Sequence, residues 1–129
     1  MREILFKAKT ISGNWVNGLL ANKDDKWYIS NKAGMPFAYD VRPETLCQFT
    51  GLCDKNGKKI WENDIVEAWS QGSRAIGTVK QRVDGLWIMS PAWQNHEFWE
   101  LKPNSNGETT VEVLGNAFDN PELLQEERR

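Results

Sequence analysis

The chain has 129 residues, of which 40% are hydrophobic and 26% charged, and its formal net charge is −2. This length fits one domain with a buried core, and the composition excludes a disordered or collagen-like chain. Asp and Glu outnumber Lys and Arg by 18 to 16, which argues against a protein that coats nucleic acid or an anionic membrane. We therefore predict a single domain over residues 1–129 with no membrane partner.

The two cysteines, Cys47 and Cys53, are too few for the disulfide framework of a small secreted protein. Free thiols in a reducing compartment are the expectation. The apolar runs are only a few residues long, so neither a signal peptide nor a membrane span is predicted. These features predict a cytoplasmic protein.

The first part of the chain has the composition of β-strands. Seven Trp, five Phe and two Tyr favour strands, because aromatic side chains pack well on a pleated surface. A hairpin is predicted from strands at residues 4–6 and 15–20, joined through Ser12-Gly13-Asn14. A polar loop at 22–26, a strand at 27–30, a Gly- and Pro-containing turn at 31–36 and an extended segment at 37–41 follow.

The middle of the chain carries the densest turn signals. Asn56-Gly57 predicts a tight turn, because both residues accept left-handed backbone angles, and Glu62-Asn63-Asp64 predicts a second corner with Asn63 left-handed. Strands at 65–69, 75–82 and 86–89, with turns at 71–73 and at Asp84-Gly85, form a meander. This pattern predicts a mainly β fold with a small SH3-like, half-open barrel and additional β-hairpins.

The C-terminal part has weaker signals. We predict a short strand at 96–101, a polar loop at 102–108 and a last strand at 109–114 that ends at Gly115. Asn120 resembles an N-cap with Pro121 at the first helical position, which predicts a short C-terminal helix, and residues 126–129 are expected to fray.

Two sets of residues are predicted to define the barrel. Its anchors are apolar: Phe49, Ile60, Trp61, Ile65 and Val66. Its corners are set by residues that tolerate unusual backbone angles or bond the backbone of their neighbours: Gly51, Asn56, Gly57, Asn63 and Asp64.

The sequence offers several reactive side chains but no assembled site. Cys47, Cys53 and His96 are too few ligands for a structural zinc site, and a Cys–His or Ser90–His96 pair has no geometric support. The scattered glycines lack the strand-to-helix context of a phosphate loop.

Two pairs of carboxylates could in principle serve acid and base chemistry, Glu62 with Asp64 and Glu97 with Glu100, but the interpretation favoured here is structural for both. We therefore predict no catalytic, metal or cofactor-binding residue and no enzymatic activity.

Nucleic-acid binding is the first alternative, because small β-barrels can stack bases on aromatic side chains while basic residues follow the backbone. The candidate contacts are Lys55, Lys58, Lys59, Arg74, Lys80 and Arg82, together with Trp61, Trp69, Trp87, Trp93 or Trp99. The slightly acidic balance makes a solvated basic face the favoured interpretation of the lysines and arginines.

A protein-binding or self-assembling module is favoured over nucleic-acid binding. A small β domain with seven Trp has more aromatic area than one core readily hides, and open sheet edges favour pairing with another chain. Homo-oligomer formation is therefore predicted, with an unknown protein partner and an uncharacterised enzyme as further alternatives.

Five segments in register resemble one known family. They are residues 1–6, 13–16, 48–60, 62–66 and 115–124, and together they span nearly the whole chain. They look like the YopX protein family, and the chain departs from the usual pattern at Ala8 and Asn63, where Gly is common. The resemblance implies a mainly β fold and a phage or prophage origin in a bacterial host cell, and it assigns no catalytic residues.

Overall fold

The computed structural model describes residues 5–30, 39–70, 73–91 and 99–124. Several predictions lie outside the described residues: the start of the first strand at 4, the turn at 31–36 and the extended residues 37–38, the turn residues 71–72, the segment at 92–98 with Trp93, His96 and Glu97, and the chain end at 126–129.

The protein is mainly β, as predicted. Its strands are β1 (Phe6–Lys9), β2 (Trp15–Lys23), β3 (Lys26–Ser30), β4 (Tyr39–Asp40), β5 (Cys47–Cys53), β6 (Lys59–Trp61), β7 (Asp64–Ser70), β8 (Ser73–Gln81), β9 (Trp87–Pro91), β10 (Trp99–Glu100) and β11 (Glu112–Asn116). Two single turns of 3-10 helix lie at Pro43–Thr45 and Pro121–Leu124. The described strands form antiparallel sheets and no closed barrel.

The chain divides into two compact units, residues 1–49 and 50–129, and strand β5 runs across the division. The single domain over residues 1–129 stays a prediction.

The first unit is a sheet with the strand order β4-β3-β2-β1-β5. In the β1–β2 hairpin, Phe6 lies opposite Gly18 and Lys9 opposite Trp15. Alternate side chains point to opposite faces of a strand. One face is therefore the core, with Ala8, Ile29 and Val41 buried at its centre. The other face carries Lys7, Lys9 and Trp15.

The second unit contains the predicted meander, and its main sheet has the order β10-β9-β8-β7-β11. Ile65 of β7 lies opposite Thr78 of β8, and Thr78 lies opposite Ser90 of β9. The core of this unit includes Ile60, Val66, Val79, Met89 and Trp87. All five predicted barrel anchors, Phe49, Ile60, Trp61, Ile65 and Val66, are buried.

One five-residue turn recurs four times, at residues 10–14, 54–58, 82–86 and 104–108. In each, the first residue donates its N–H to the carbonyl of the fifth, and the fourth residue, a glycine with positive φ, donates to the carbonyl of the first. Gly57 and Gly85 are two of these glycines, as predicted. In the turn at 54–58 the left-handed residue is Gly57, and Asn56 before it does not have positive φ.

Three other predictions change in detail. The polar loop at 22–26 is a turn of only Asp24 and Asp25, both left-handed, because β2 and β3 continue almost to its tip. Gly115 does not end the last strand. It lies inside β11, where a bulge between Val113 and Gly115 shifts the register.

The C-terminal helix is a single 3-10 turn, Pro121–Leu124. This turn begins at Asn120, whose carbonyl accepts a hydrogen bond from Leu123 N. The side-chain oxygen of Asn120 instead accepts from Asn116 N.

Candidate functional site

The most polar part of the densest turn segment is a buried carboxylate. Asp54 is 1% exposed. Its Oδ1 accepts from the backbone N–H groups of Asn56 at 2.8 Å and Lys58 at 2.9 Å, and its Oδ2 accepts from Val113 at 3.0 Å. Because two of these donors belong to the turn and the third to β11, the carboxylate holds the turn and ties it to β11.

The pKa of Asp54 reflects this position. Burial raises the pKa, but the bonds from the Val113, Lys58 and Asn56 backbone and the charge of Lys58 lower it by more, so the pKa lies below its ordinary value. Asp54 therefore remains ionised at neutral pH. An ionised carboxylate that already accepts three backbone bonds is a structural group rather than a proton carrier.

The second corner is built in the same way. Asn63 has φ of +71°, which confirms the predicted left-handed residue. Asp64 is buried, and its Oδ2 accepts from Trp61 N at 2.8 Å. Gly51 also has positive φ, at +84°. The carboxylate pair Glu62 and Asp64 thus has one member engaged with the backbone, in agreement with its structural interpretation.

Most of the six basic residues predicted as nucleic-acid contacts have acidic or polar partners within the protein. Arg74 Nε donates to Glu67 Oε2, Arg82 Nε donates to Asp84 Oδ1 at 3.0 Å, and Lys55 Nζ lies 3.6 Å from Glu112 Oε1. Three of the six are therefore paired with carboxylates. Of the rest, Lys58 lies beside Asp54, Lys80 Nζ donates to Asn63 Oδ1 at 3.3 Å, and Lys59 is exposed on β6.

The pairing lowers the pKa of two carboxyl groups. The Arg74 hydrogen bond is the main reason that the pKa of Glu67 lies below its ordinary value, and the Trp69 indole N–H, which donates to Glu67 Oε1 at 3.3 Å, adds to the effect. The Arg82 hydrogen bond lowers the pKa of Asp84 to about 2, and Asp84 in turn raises the pKa of Arg82.

A cleft of about 360 Å³ lies in the second unit. Its lining comes from β7, β9, β10 and the segment that follows β10, namely Ala68, Trp69, Met89, Trp99, Glu100, Leu101, Lys102, Thr109, Thr110 and Val111. Ala68, Met89, Leu101 and Val111 belong to the core of the unit. This volume is at the lower end of the range of ligand sites.

The rim of the cleft carries an exposed aromatic side chain. Trp69 is 59% exposed and lies near the end of β7, on the same face of the strand as Glu67. Trp99 is half-buried. Thr109, also in the lining, donates its hydroxyl to the Cys53 carbonyl at 2.9 Å. The cleft is therefore lined by both apolar and polar residues, and Trp69 is the more exposed of its two Trp residues.

The cysteines are free thiols, Cys47 buried and Cys53 half-buried. Among the residues that the structure describes, no group of three or more His, Cys, Asp and Glu side chains could hold a metal ion. His96 and Glu97 lie outside those residues. The Ser90–His96 pair and the Glu97–Glu100 pair are therefore not described.

The sequence prediction missed a group of residues in the first unit. Lys7 Nζ lies 4.8 Å and Lys9 Nζ 5.5 Å from the centroid of the Trp15 ring. The alternation Lys7-Ala8-Lys9 within a predicted hairpin was the available signal, because alternate residues of a strand share a face. The pairing of Lys9 with Trp15 depends on the hairpin register, which the sequence did not fix.

No helix in the described ranges is both long and apolar enough to cross a membrane. No curated protein matches the chain. Among solved structures, the chain is similar to the crystal structure of protein EF1440 from Enterococcus faecalis, with 19% sequence identity, a TM-score of 0.51, and coverage of 97% of this chain and 100% of that chain. At this identity the likeness shows the fold alone.

The family comparison covers nearly all of the chain. Residues 7–125 match the family described as YopX protein. This range contains the Asp54 turn, the Asn63 corner and the meander, as well as the cleft around Trp69. The chain therefore belongs to the YopX protein family.

Proposed function

We propose that the protein is a non-enzymatic interaction or assembly module, encoded by a phage or prophage and acting in the cytoplasm of the bacterial host, where it forms a homo-oligomer. The observation that carries the proposal is the cleft of the second unit with Trp69 exposed at its rim. The phage setting is supported by membership of the YopX family.

The exposure of Trp69 supports an interface. A large aromatic side chain is costly to leave in water, and Trp is enriched at the centres of protein interfaces because it combines an apolar body with a polar N–H. The Trp69 N–H already donates to Glu67, which fixes the ring orientation. A side chain held in place loses little conformational entropy when a partner covers it.

The adjacent sheet edge supports a second copy as the partner. Strand β10 lies at the end of the order of described strands in its sheet, and Trp99 and Glu100, which form it, also line the cleft. Edge strands pair readily with a strand of another chain. A surface that joins a cleft with an exposed Trp to a strand edge favours a self-complementary dimer.

The non-enzymatic role is supported by the roles of the polar groups. The Thr109 hydroxyl bonds to the backbone, the carboxylates of Asp54 and Asp64 hold turns, and Glu67 is paired with Arg74. Groups with structural partners are poor candidates for proton transfer, since a general base must reach its substrate.

Light scattering over a range of protein concentrations tests the proposal. We expect a concentration-dependent dimer or larger oligomer for the natural protein and a monomer for Trp69→Ser. Val83→Ser is the matched control, because Val83 is a fully exposed apolar residue at a hairpin tip, outside the cleft lining. A natural protein that stays monomeric at high concentration would contradict the homo-oligomer.

A further inference from the structure

We propose that the lysine- and tryptophan-bearing face of the first-unit sheet binds single-stranded nucleic acid. This surface, called the Trp15 face, consists of Lys7 and Lys9 of β1, Trp15, Leu19 and Lys23 of β2, and Lys26 and Tyr28 of β3. It contains none of the six basic residues that the sequence suggested for nucleic acid.

The register of three strands places these side chains on one face. Lys9 lies opposite Trp15, Tyr28 opposite Ala21, and Lys23 opposite Lys26. Because side chains alternate along a strand, residues 15, 19, 21 and 23 of β2 lie together on one side. The residues between them, such as Val16 and Leu20, pack with Ala8 and Ile29 in the core of the unit.

The Trp15 ring positions two cations. The ammonium groups of Lys7 and Lys9 lie 4.8 and 5.5 Å from its centroid. The negative face of an indole attracts a cation at this distance, so both ammonium groups are drawn to the same ring. Lys7 and Lys9 also share one face of β1, and two cations on one face suit the phosphates of a nucleic-acid backbone.

A third cation lies beside Lys9. Arg42 N donates to the Lys9 carbonyl at 2.8 Å, and Arg42 Nη2 donates to the Ile11 carbonyl at 2.7 Å. The side chain of Arg42 is thereby fixed near the end of β1. A third cation thus lies at the end of β1 that carries Lys9.

The rest of the face has aromatic and apolar area suited to bases. Leu19 is 43% exposed, and Tyr28 is half-buried with its ring on the same side. Between Trp15 and Ala21 the face extends for about 20 Å. Bases stack on aromatic side chains in a sequence-tolerant way while cations follow the backbone, which is the pattern of single-strand-binding sheets.

The charge balance of the units agrees with an anionic ligand here. Residues 1–49 contain seven Lys or Arg and five Asp or Glu, whereas residues 50–129 contain nine and thirteen. Among the described residues of this unit, the acidic ones are Asp24 and Asp25 in the β2–β3 turn, Asp40 of β4, and Glu44 in the first 3-10 turn. A strand of nucleic acid would avoid the turn and lie toward β1.

Fluorescence anisotropy with labelled 12-nucleotide dT and U strands across a salt series tests the proposal. The natural protein is expected to bind both strands more weakly as salt rises. Lys7→Gln with Lys9→Gln should weaken binding about tenfold at low salt and reduce the slope of log affinity against log salt by about 1.4, as for two lost phosphate contacts. Lys55→Gln with Lys80→Gln, which removes the same charge from the second unit, should leave binding unchanged.

The ring is tested separately. Trp15→Ala should weaken binding about tenfold. Trp15→Phe, which keeps a stacking surface, should retain most of the affinity of the natural protein. If circular dichroism shows that Trp15→Ala is unfolded, the lysine variants and Trp15→Phe decide the question.

Binding with no salt dependence, equal losses for the two lysine pairs, or equal affinity for a DNA duplex would overturn the proposal. So would binding only to anionic vesicles. Because the cleft variant Trp69→Ser leaves the Trp15 face intact, failure of self-association and failure of nucleic-acid binding are separate results.

Discussion

Two turns of this protein have the same backbone and different surroundings. In residues 54–58 and 82–86 the first residue bonds to the fifth and a left-handed glycine lies fourth. Asp54 is 1% exposed and accepts a long-range bond from Val113. Asp84 is exposed and bonds to its sequence neighbours Arg82 and Leu86. The hydrogen bonds that form a turn are thus local, whereas the contribution of the turn to stability depends on burial and on distant partners.

The largest effect is expected at Asp54. Asp54→Ala leaves three backbone N–H groups without their acceptor, and each buried unsatisfied donor costs about 1–3 kcal/mol. We expect the free energy of unfolding to fall by about 3 kcal/mol or more, measured by urea denaturation. A loss below about 1 kcal/mol would show that the buried carboxylate does not hold the turn.

The glycines should respond alike in the two turns. Gly57 has φ of +85° and Gly85 of +93°, and an added Cβ at either meets no atom within 4 Å. Gly57→Val and Gly85→Val should therefore each cost about 1–2 kcal/mol through backbone strain alone. Thermal unfolding of both variants checks this expectation. A much larger loss at one glycine would mean that the two turns differ in backbone as well as in burial.

Acid should destabilise the protein by protonating Asp54. Because the folded-state pKa of Asp54 lies below the ordinary value of 3.8, the unfolded chain binds more protons near that value. The stabilisation is therefore present above 3.8 and is lost as pH falls from there through the lower folded-state pKa. The melting temperature of the natural protein should thus fall more steeply between about pH 5 and pH 3 than that of Asp54→Asn. Parallel curves would contradict the assignment.

The smallest effect is expected at Asp84. Its pKa of about 2 results mainly from the Arg82 contact, but Asp84 is exposed and Arg82 is only partly buried. Ion pairs at the surface contribute little because water and salt screen them. Asp84→Ala should therefore leave the free energy of unfolding nearly unchanged in the same urea experiment. A loss comparable to that of Asp54→Ala would remove the contrast between the turns.

The turn positions were predictable because their signals are local. Gly57, Asn63 and Gly85 occupy left-handed angles that few residue types accept. The bulge at Gly115 was not predictable, because it depends on how β11 pairs with β7. The two-residue turn at Asp24 and Asp25 was also missed, since Asp is a weaker signal for this geometry than Asn-Gly.

The candidate sites were harder to predict than the turns. Arg74 pairs with Glu67 and Lys55 with Glu112 across strands whose register the sequence did not fix. The Arg82–Asp84 pair, two residues apart, was accessible from the sequence. Lys7 and Lys9 lie near the Trp15 ring because β1 pairs with the start of β2. Predicting this contact would have required the register of the hairpin.

The claim that Asp54 holds the 54–58 turn and ties it to β11 can be tested by amide hydrogen exchange at Val113. The Val113 N–H donates to Asp54 Oδ2 at 3.0 Å, while the Leu86 N–H donates to the exposed Asp84 at 3.2 Å. We predict strong protection of Val113 that is lost in Asp54→Ala beyond the change in global stability, with Leu86 little protected throughout. Protection of Val113 that persists in Asp54→Ala would contradict the claim.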